Sequence, residues 1–129
     1  MQKLFGLIAA FYGATAVMIG AFGAHALKEK LDIYQHQIFE KGVQYQFYHV
    51  AALLAVFLLG TKIQSNWLNI AGWFFIFGIL FFSGSLYLLA TRELLGTTGL
   101  TPILGPVTPL GGLCFIIGWV CLFAGILKL

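Results

Sequence analysis

Gly42-Val-Gln-Tyr-Gln-Phe-Tyr-His-Val-Ala-Ala-Leu-Leu-Ala-Val-Phe-Leu-Leu-Gly-Thr61 contains no charged residue, and Lys41 and Lys62 stand immediately outside it. A helix needs about 20 mostly apolar residues to cross the hydrocarbon core of a bilayer. Working outward, charges cut the rest of the chain into similar pieces. Leu4 to Ala26 lies between Lys3 and Lys28, Ser65 to Thr91 between Lys62 and Arg92, and Leu94 to Leu127 between Glu93 and Lys128. The last piece is too long for one simple helix. Pro102, Pro106 and Pro109 are expected to break its first part, leaving a helix from about Thr108 to Leu127. Segments this long and uniformly apolar are helices rather than barrel strands. The expected fold is all-α, a four-helix transmembrane bundle forming one domain over 1–129, with spans near 4–26, 43–61, 66–91 and 108–127.

Composition agrees. The chain is 60% hydrophobic and 9% charged, against about 25% charged in soluble domains. The charges are scattered, apart from the short mixed run Lys28-Glu29-Lys30-Leu31-Asp32, so no basic stripe is present for nucleic acid. Lys3 before an apolar run and Ala24-His25-Ala26 imitate a signal peptide. The run of about 23 residues exceeds a typical signal core, so it is expected to remain as a span. Cys114 and Cys121 would lie roughly 10 Å apart on one helix face, too far for a disulfide, and read as packing residues.

Between the first two spans, Leu27, Leu31, Tyr34 and Ile38 follow helical spacing among Lys28, Glu29, Asp32, Gln35, His36 and Glu40. This predicts an amphipathic segment on the membrane surface or capping the bundle, with Gly42 as a bend into span two. His36 and Glu40 form an acid–histidine pair four residues apart, ordinary for a solvated face. The short connection near 62–66 makes spans two and three neighbours, and Trp67 sits where an interfacial anchor is expected. Trp73 and Trp119 read as packing or lipid contacts. Lys3, Lys62 and Lys128 on one side against Lys28, Lys30, Lys41 and Arg92 on the other leave the orientation undecided.

Antiparallel spans bring the polar residues to one end. His25 closes span one; Gln44, Tyr45, Gln46, Tyr48 and His49 open span two. Ser83, Ser85, Tyr87, Thr91 and Arg92 close span three, and Thr97, Thr98, Thr101 and Thr108 lead into span four. The opposite half reads as almost free of polar groups. At about 100° per residue, Gln44 and Tyr48 share a stripe with Ala52 and Ala55, expected to pack inside. Val43, Phe47, Val50, Leu54 and Leu58 make an arc expected to face lipid. His49 lies about 12 Å beyond Lys41, at a depth where a polar side chain needs a partner. It reads either as a neutral imidazole bonded to a neighbouring helix, as a ligand-binding or proton-moving group, or as a metal ligand. No short spacing such as His-x3-His joins His25, His36 and His49, so neither a metal centre nor a cofactor is expected. The candidate ligand-binding set is His49, Gln44, Gln46, Tyr45, Tyr48, His25, Ser83, Tyr87, Arg92 and Thr108; none is assigned as catalytic.

Gly6, Gly13 and Gly20 form a heptad stripe with Ala9 and Ala16, expected to support close helix packing within the bundle or a homo-oligomer contact. The uncharged stretch Gly99 to Gly112, with its repeated Thr-Pro, is expected to dip into the bundle or headgroup region on the polar side, or to form a turn with Thr108 as N-cap.

Four blocks occur in order: Gly20-Ala-Phe-Gly-Ala-His-Ala-Leu27, Gly42-Val-Gln-Tyr-Gln-Phe-Tyr-His49, Phe82-Ser-Gly-Ser-Leu-Tyr87, and Thr108-Pro-Leu-Gly-Gly112 with Gly118-Trp119. With them the whole chain resembles an uncharacterised bacterial membrane family related to eukaryotic transmembrane protein 256. The resemblance implies a four-span protein and brings no activity, substrate or catalytic residue. The expected location is the cell membrane, as a multi-pass protein of the bacterial inner or plasma membrane. The leading functional expectation is a binding or accessory protein whose polar end holds a lipid-like or quinone-like ligand or a partner's helix. A small oligomeric transporter or channel is the alternative. A membrane enzyme ranks last, because Glu29, Asp32, Glu40 and Glu93 are the only carboxylates, all near the boundary, and no nucleophile–base pair is readable.

Overall fold

Asp32 decides where the second long helix begins. Its carboxylate accepts the Gln35 backbone N–H at 2.7 Å, and its own backbone N–H donates to Gln35 Oε1 at 3.0 Å. This capping box satisfies first-turn donors that an isolated helix leaves unpaired. In the computed structural model, which describes residues 1–129, α1 spans Gln2–His25 and α2 then runs from Ile33 through Gly42 to Gly60 without a break. The expected amphipathic stripe is therefore interrupted. Leu27 and Leu31 are buried in the turn after α1, whereas Tyr34 is 67% exposed and the inward phase passes to Gln35 and Phe39. The cap restarts the helix, so a single period cannot run across it. Asp32→Ala is expected to lower stability by about 1 kcal/mol, read as a lower unfolding midpoint in detergent with faster amide exchange confined to the first turn of α2.

Helix α3 covers Asn66–Ala90 and contains a π-helical turn at Ile79–Ser83. A short α4, Arg92–Leu95, stops at Gly96, whose φ of 67° is the left-handed conformation that glycine adopts without strain. After a 3₁₀ turn at Thr98–Leu100, α5 runs from Thr101 to Ile126. The prolines do not break it as expected, and the helix begins well before Thr108. Pro102 occupies the first turn, where a missing N–H costs little. Pro106 and Pro109 lie inside the helix. Thr108 Oγ1 donates to the Leu104 carbonyl at 3.2 Å, a bond back to its own helix and not to the Pro102 and Gly105 carbonyls that Pro106 and Pro109 leave without their usual donors. The dip expected over 99–112 is replaced by the first turns of α5.

Long, apolar α1, α2, α3 and α5 give four helices able to cross a membrane. Two matched ladders pack them in pairs. Gly6, Gly13 and Gly20 of α1 face Phe57, Val50 and Val43 of α2; a Cβ at each glycine would come within 3.1, 3.6 and 3.3 Å of those side chains. Gly125, Gly118 and Gly111 of α5 likewise face Leu68, Phe75 and Phe82 of α3, and Phe115 of α5 enters at Gly78. Each rung is one heptad from the next and sets a bulky residue against a missing side chain, which lets the backbones approach. The α1 stripe is thus filled within the chain, and the surface expected to offer a homo-oligomer contact is occupied by α2. Val43 and Val50 turn towards α1 rather than lipid, while Phe47, Leu54 and Leu58 are exposed as expected. α2 and α3 pack in the middle, with Phe5, Leu53, Val56, Leu68 and Phe75 fully buried among the helices.

Candidate functional site

The inward face of α2 is Gly42, Gln46, His49, Leu53 and Val56, all buried, so the inner face is turned away from the Gln44/Tyr48 stripe, although Ala52, expected to pack inside, is buried and Ala55 is half-buried. Gln44 and Tyr48 point outward, Tyr48 being 57% exposed. The polar residues do not form one cluster. They make separate bonds between particular helix pairs.

Gln46 ties three helices together. Its Nε2 donates to the Tyr12 carbonyl at 2.8 Å and to Thr15 Oγ1 at 3.0 Å, while its Oε1 accepts from the Tyr87 hydroxyl at 2.6 Å. Ser83 donates to the Gly42 carbonyl at 2.7 Å, joining α3 to α2 where no Cβ intervenes. The hydroxyls of Ser85 and Thr108 share a 2.6 Å bond between α3 and α5. Ser83 and Ser85 sit two residues apart, which points them to opposite neighbours. These groups are spent on holding helices together, as intramembrane polar side chains commonly are. Tyr12 and Thr15 were absent from the sequence-based set. Their signal was their position in the middle of a span, where polar groups require partners.

His49 closes a different part of the structure. Trp119 Nε1 donates to His49 Nε2 at 3.1 Å, so Nδ1 carries the proton and donates to the Tyr45 carbonyl at 2.7 Å. The imidazole lies flat on Phe115, centroids 3.5 Å apart and planes 7° from parallel. Both ring nitrogens are engaged, so His49 has no free position for a ligand or metal unless Trp119 moves. Trp119 and Phe115 are thus the partners that sequence reading did not supply.

Beside this stack, a cleft of about 820 Å³ opens laterally between α2 and α5, lined by Tyr45, Tyr48, His49, Pro109, Gly112, Leu113, Phe115, Ile116 and Trp119. Tyr45 stacks on Phe82 of the π-helical turn at 4.7 Å. π-Turns inside α-helices insert an extra residue and often accompany sites of function. The wall is mostly apolar, and the Tyr45 and Tyr48 phenols supply its polar atoms beyond the occupied imidazole. Three of the candidate residues, Tyr45, Tyr48 and His49, therefore share one cavity. Gln46, Ser83, Tyr87 and Thr108 do not line it. Gln44 borders a smaller groove with Gly20, His36 and Glu40. His25 is exposed at the end of α1, and Arg92 is half-buried at the start of α4. His36 bonds the Lys28 carbonyl at 2.9 Å rather than pairing with Glu40.

A family model described as "Protein of unknown function (DUF423)" matches residues 19–112. The chain belongs to the DUF423 family. Its relatives carry the same description at the level of location. A UPF0382 membrane protein of Staphylococcus saprophyticus is 42% identical over 132 residues, covering 99% of this chain and 100% of that protein. One from Staphylococcus epidermidis is 45% identical over 129 residues, covering 98% of both chains. The UPF0382 membrane protein YwdK of Bacillus subtilis is 39% identical over 134 residues, again covering 98% of both. No solved structure matches. The DUF423 match includes Gln46, the π-helical turn and the Pro109–Gly112 edge of the cleft, and stops before Phe115 and Trp119. This DUF423 chain is a multi-pass membrane protein, and what it binds is a question for its cleft.

Proposed function

We propose that the protein is a binding or accessory protein of the bacterial cell membrane that takes a lipid-like molecule, with a flat or chain-like apolar body and one polar end, from the bilayer into the α2–α5 cleft. The observation carrying this reading is the cleft itself. It has the size usual for small-molecule sites, it is mainly apolar, and it lies on the side of the bundle between two helices long and apolar enough to cross a membrane. Tyr45 and Tyr48 provide hydroxyls for a carbonyl or hydroxyl of the guest, and Phe115, Ile116 and Trp119 supply the apolar wall. His49 holds Trp119 and Phe115 in place rather than touching the guest with a free nitrogen. The solid packing around Phe5, Leu53 and Phe75 supports binding over conduction through a single chain.

Gly112→Leu tests this. A Cβ at Gly112 would meet Phe82 only at 3.9 Å, an ordinary contact, so the new side chain fills the cleft without forcing the helices apart. Native mass spectrometry of protein extracted from its own membrane should show an added mass on the wild type that falls at least about tenfold in Gly112→Leu. The unfolding midpoint should stay within about 1 kcal/mol of wild type. An equal adduct on both proteins, or none on the wild type, would remove the basis for the reading.

A further inference from the structure

Tyr12, Tyr45, Tyr48 and Tyr87 all stand inside the uncharged stretches of their spans. Two of these hydroxyls are spent on the bundle. Tyr12 donates to the Ile76 carbonyl at 3.3 Å, and Tyr87 donates to Gln46 Oε1 at 2.6 Å. Tyr45 and Tyr48 are used differently. Both line the α2–α5 cleft, their hydroxyls make no bond within the protein, and Tyr48 is 57% exposed. A hydroxyl among apolar groups gains from any partner that comes within reach. The rings that carry these hydroxyls are held in place, Tyr45 stacked on Phe82 at 4.7 Å and 5.7 Å from Tyr48 between centroids. The two phenols are therefore a preset pair of accessible hydrogen-bonding groups on one wall.

Charge narrows what can meet them. No charged side chain lines the cleft. On the α5 side there is no charge anywhere from Thr101 to Ile126. On the α2 side the nearest is Lys41, and Tyr45 and Tyr48 lie about 6 and 10 Å further along the helix. His49 offers no free N–H, because Nδ1 donates to the Tyr45 carbonyl and Nε2 accepts from Trp119. A phosphate or carboxylate drawn down to the phenols would lose its water and find no counter-charge, a cost that two neutral hydrogen bonds do not repay. The polar end of the guest is thus uncharged, which sets it apart from phospholipids.

The walls narrow it again. Of the nine lining side chains, five are rings: Tyr45, Tyr48, His49, Phe115 and Trp119. On α5, Pro109 and Gly112 share one face, and Gly112 leaves its backbone bare where a Cβ would meet only Phe82 at 3.9 Å. Aromatic faces favour a planar ring over a flexible chain, since ring contacts gain beyond the area they bury. A rigid ring also loses less freedom on binding than a chain does.

We infer that the guest of this cleft is an uncharged lipid whose head is a planar ring bearing carbonyl or hydroxyl groups, the chemistry of a quinone or quinol on an apolar tail. The inference rests on the reading that the cleft takes a lipid-like molecule, and it adds the class. The ring lies between the phenols of α2 and the Pro109–Gly112 face of α5, with one of its oxygens bonded to Tyr45 and Tyr48. The tail leaves past Leu113 and Ile116, both exposed on the outside of the bundle.

The test offers full-length protein in neutral detergent equal amounts of a prenyl naphthoquinone, diacylglycerol and phosphatidylglycerol. Diacylglycerol is uncharged but has no ring, and phosphatidylglycerol is charged. Native mass spectrometry measures what is retained. The naphthoquinone should be retained about tenfold more than either of the others. Tyr45→Phe combined with Tyr48→Phe keeps both rings and the stack on Phe82, and should reduce naphthoquinone retention about fivefold or more without lowering the unfolding midpoint. Equal retention of diacylglycerol, lost in Gly112→Leu, would overturn the ring head and leave a lipid-binding cleft standing. Equal retention of phosphatidylglycerol, lost in the same variant, would overturn the uncharged head in the same way. Naphthoquinone retention untouched by the paired phenylalanines would overturn the assignment of its oxygen to the phenols. Retention of no probe by the wild type, or of every probe alike by Gly112→Leu, would remove the cleft reading itself and this inference with it.

Discussion

Gly111→Ala is expected to destabilise the protein by about 3 kcal/mol. A Cβ there would strike the backbone nitrogen and Cα of Phe82, not the tip of a side chain. Phe82 belongs to the π-helical turn and is stacked on Tyr45, so it has little room to retreat. The only relief is separation of α3 from α5, which would loosen Phe75 at Gly118 and Leu68 at Gly125 as well. Gly13→Ala makes the contrast. Its Cβ would meet Val50 at 3.6 Å, an ordinary distance, and alanine is the better helix former by up to about 1 kcal/mol. Reversible unfolding in mixed micelles should place Gly111→Ala far below wild type and Gly13→Ala at or above it. If the two variants unfold alike, the glycine ladder between α3 and α5 does not set the packing distance.

Gln46→Leu should cost about 2 kcal/mol. The leucine keeps the bulk but leaves the Tyr87 hydroxyl without its partner inside the bundle and removes both bonds from Gln46 to α1, Thr15 keeping only its own bond to the Tyr12 carbonyl. Tyr87→Phe alone should cost less, about 1 kcal/mol, because Gln46 keeps its bonds to α1. With both changes the phenol and the amide are removed together, and the loss should fall short of the sum of the singles by about 1 kcal/mol. Strict additivity in the same unfolding assay would mean that the 2.6 Å bond between Tyr87 and Gln46 carries no energy of its own.

The spans were legible because lipid excludes charge. Lys41 and Lys62 bracket the membrane part of α2, and Lys3 and Lys28 bracket α1 in the same way. The heptad of Gly6, Gly13 and Gly20 was equally plain. Its counterpart, Gly111, Gly118 and Gly125, has the same spacing and lies wholly within the helix expected from about Thr108 to Leu127, but it was not read as a packing stripe. The prolines shortened the expected last helix instead: Pro106 and Pro109 sit inside α5, and membrane helices tolerate proline that soluble-protein rules treat as a stop. The inner face of α2 was misassigned for another reason. Gln44 and Tyr48 form one polar stripe and Gln46 and His49 another, and a single helix does not say which has partners across from it. Those partners, Tyr12, Thr15, Tyr87 and Trp119, belong to other spans. A polar cavity at the end of the bundle expected to be dry, lined by Gln2, Ser65 and Asn69, was missed because its residues sit near span ends, where each looks like ordinary boundary polarity. The start of α2 turned on a side-chain cap at Asp32, which a search for apolar period overlooks.

The pairing of the helices also has a bearing on how the chain is made. α1 lies against α2, α2 against α3, and α3 against α5, so each later span packs against the one synthesised just before it. The first hairpin can close its Gly6–Phe57, Gly13–Val50 and Gly20–Val43 rungs as soon as α2 enters the membrane. α3 then docks through Tyr87 on a Gln46 already held by α1. α5 arrives last and needs only α3 to seat its glycines. Biogenesis can therefore proceed as a sequence of local additions, with no early helix left waiting in lipid for a distant mate.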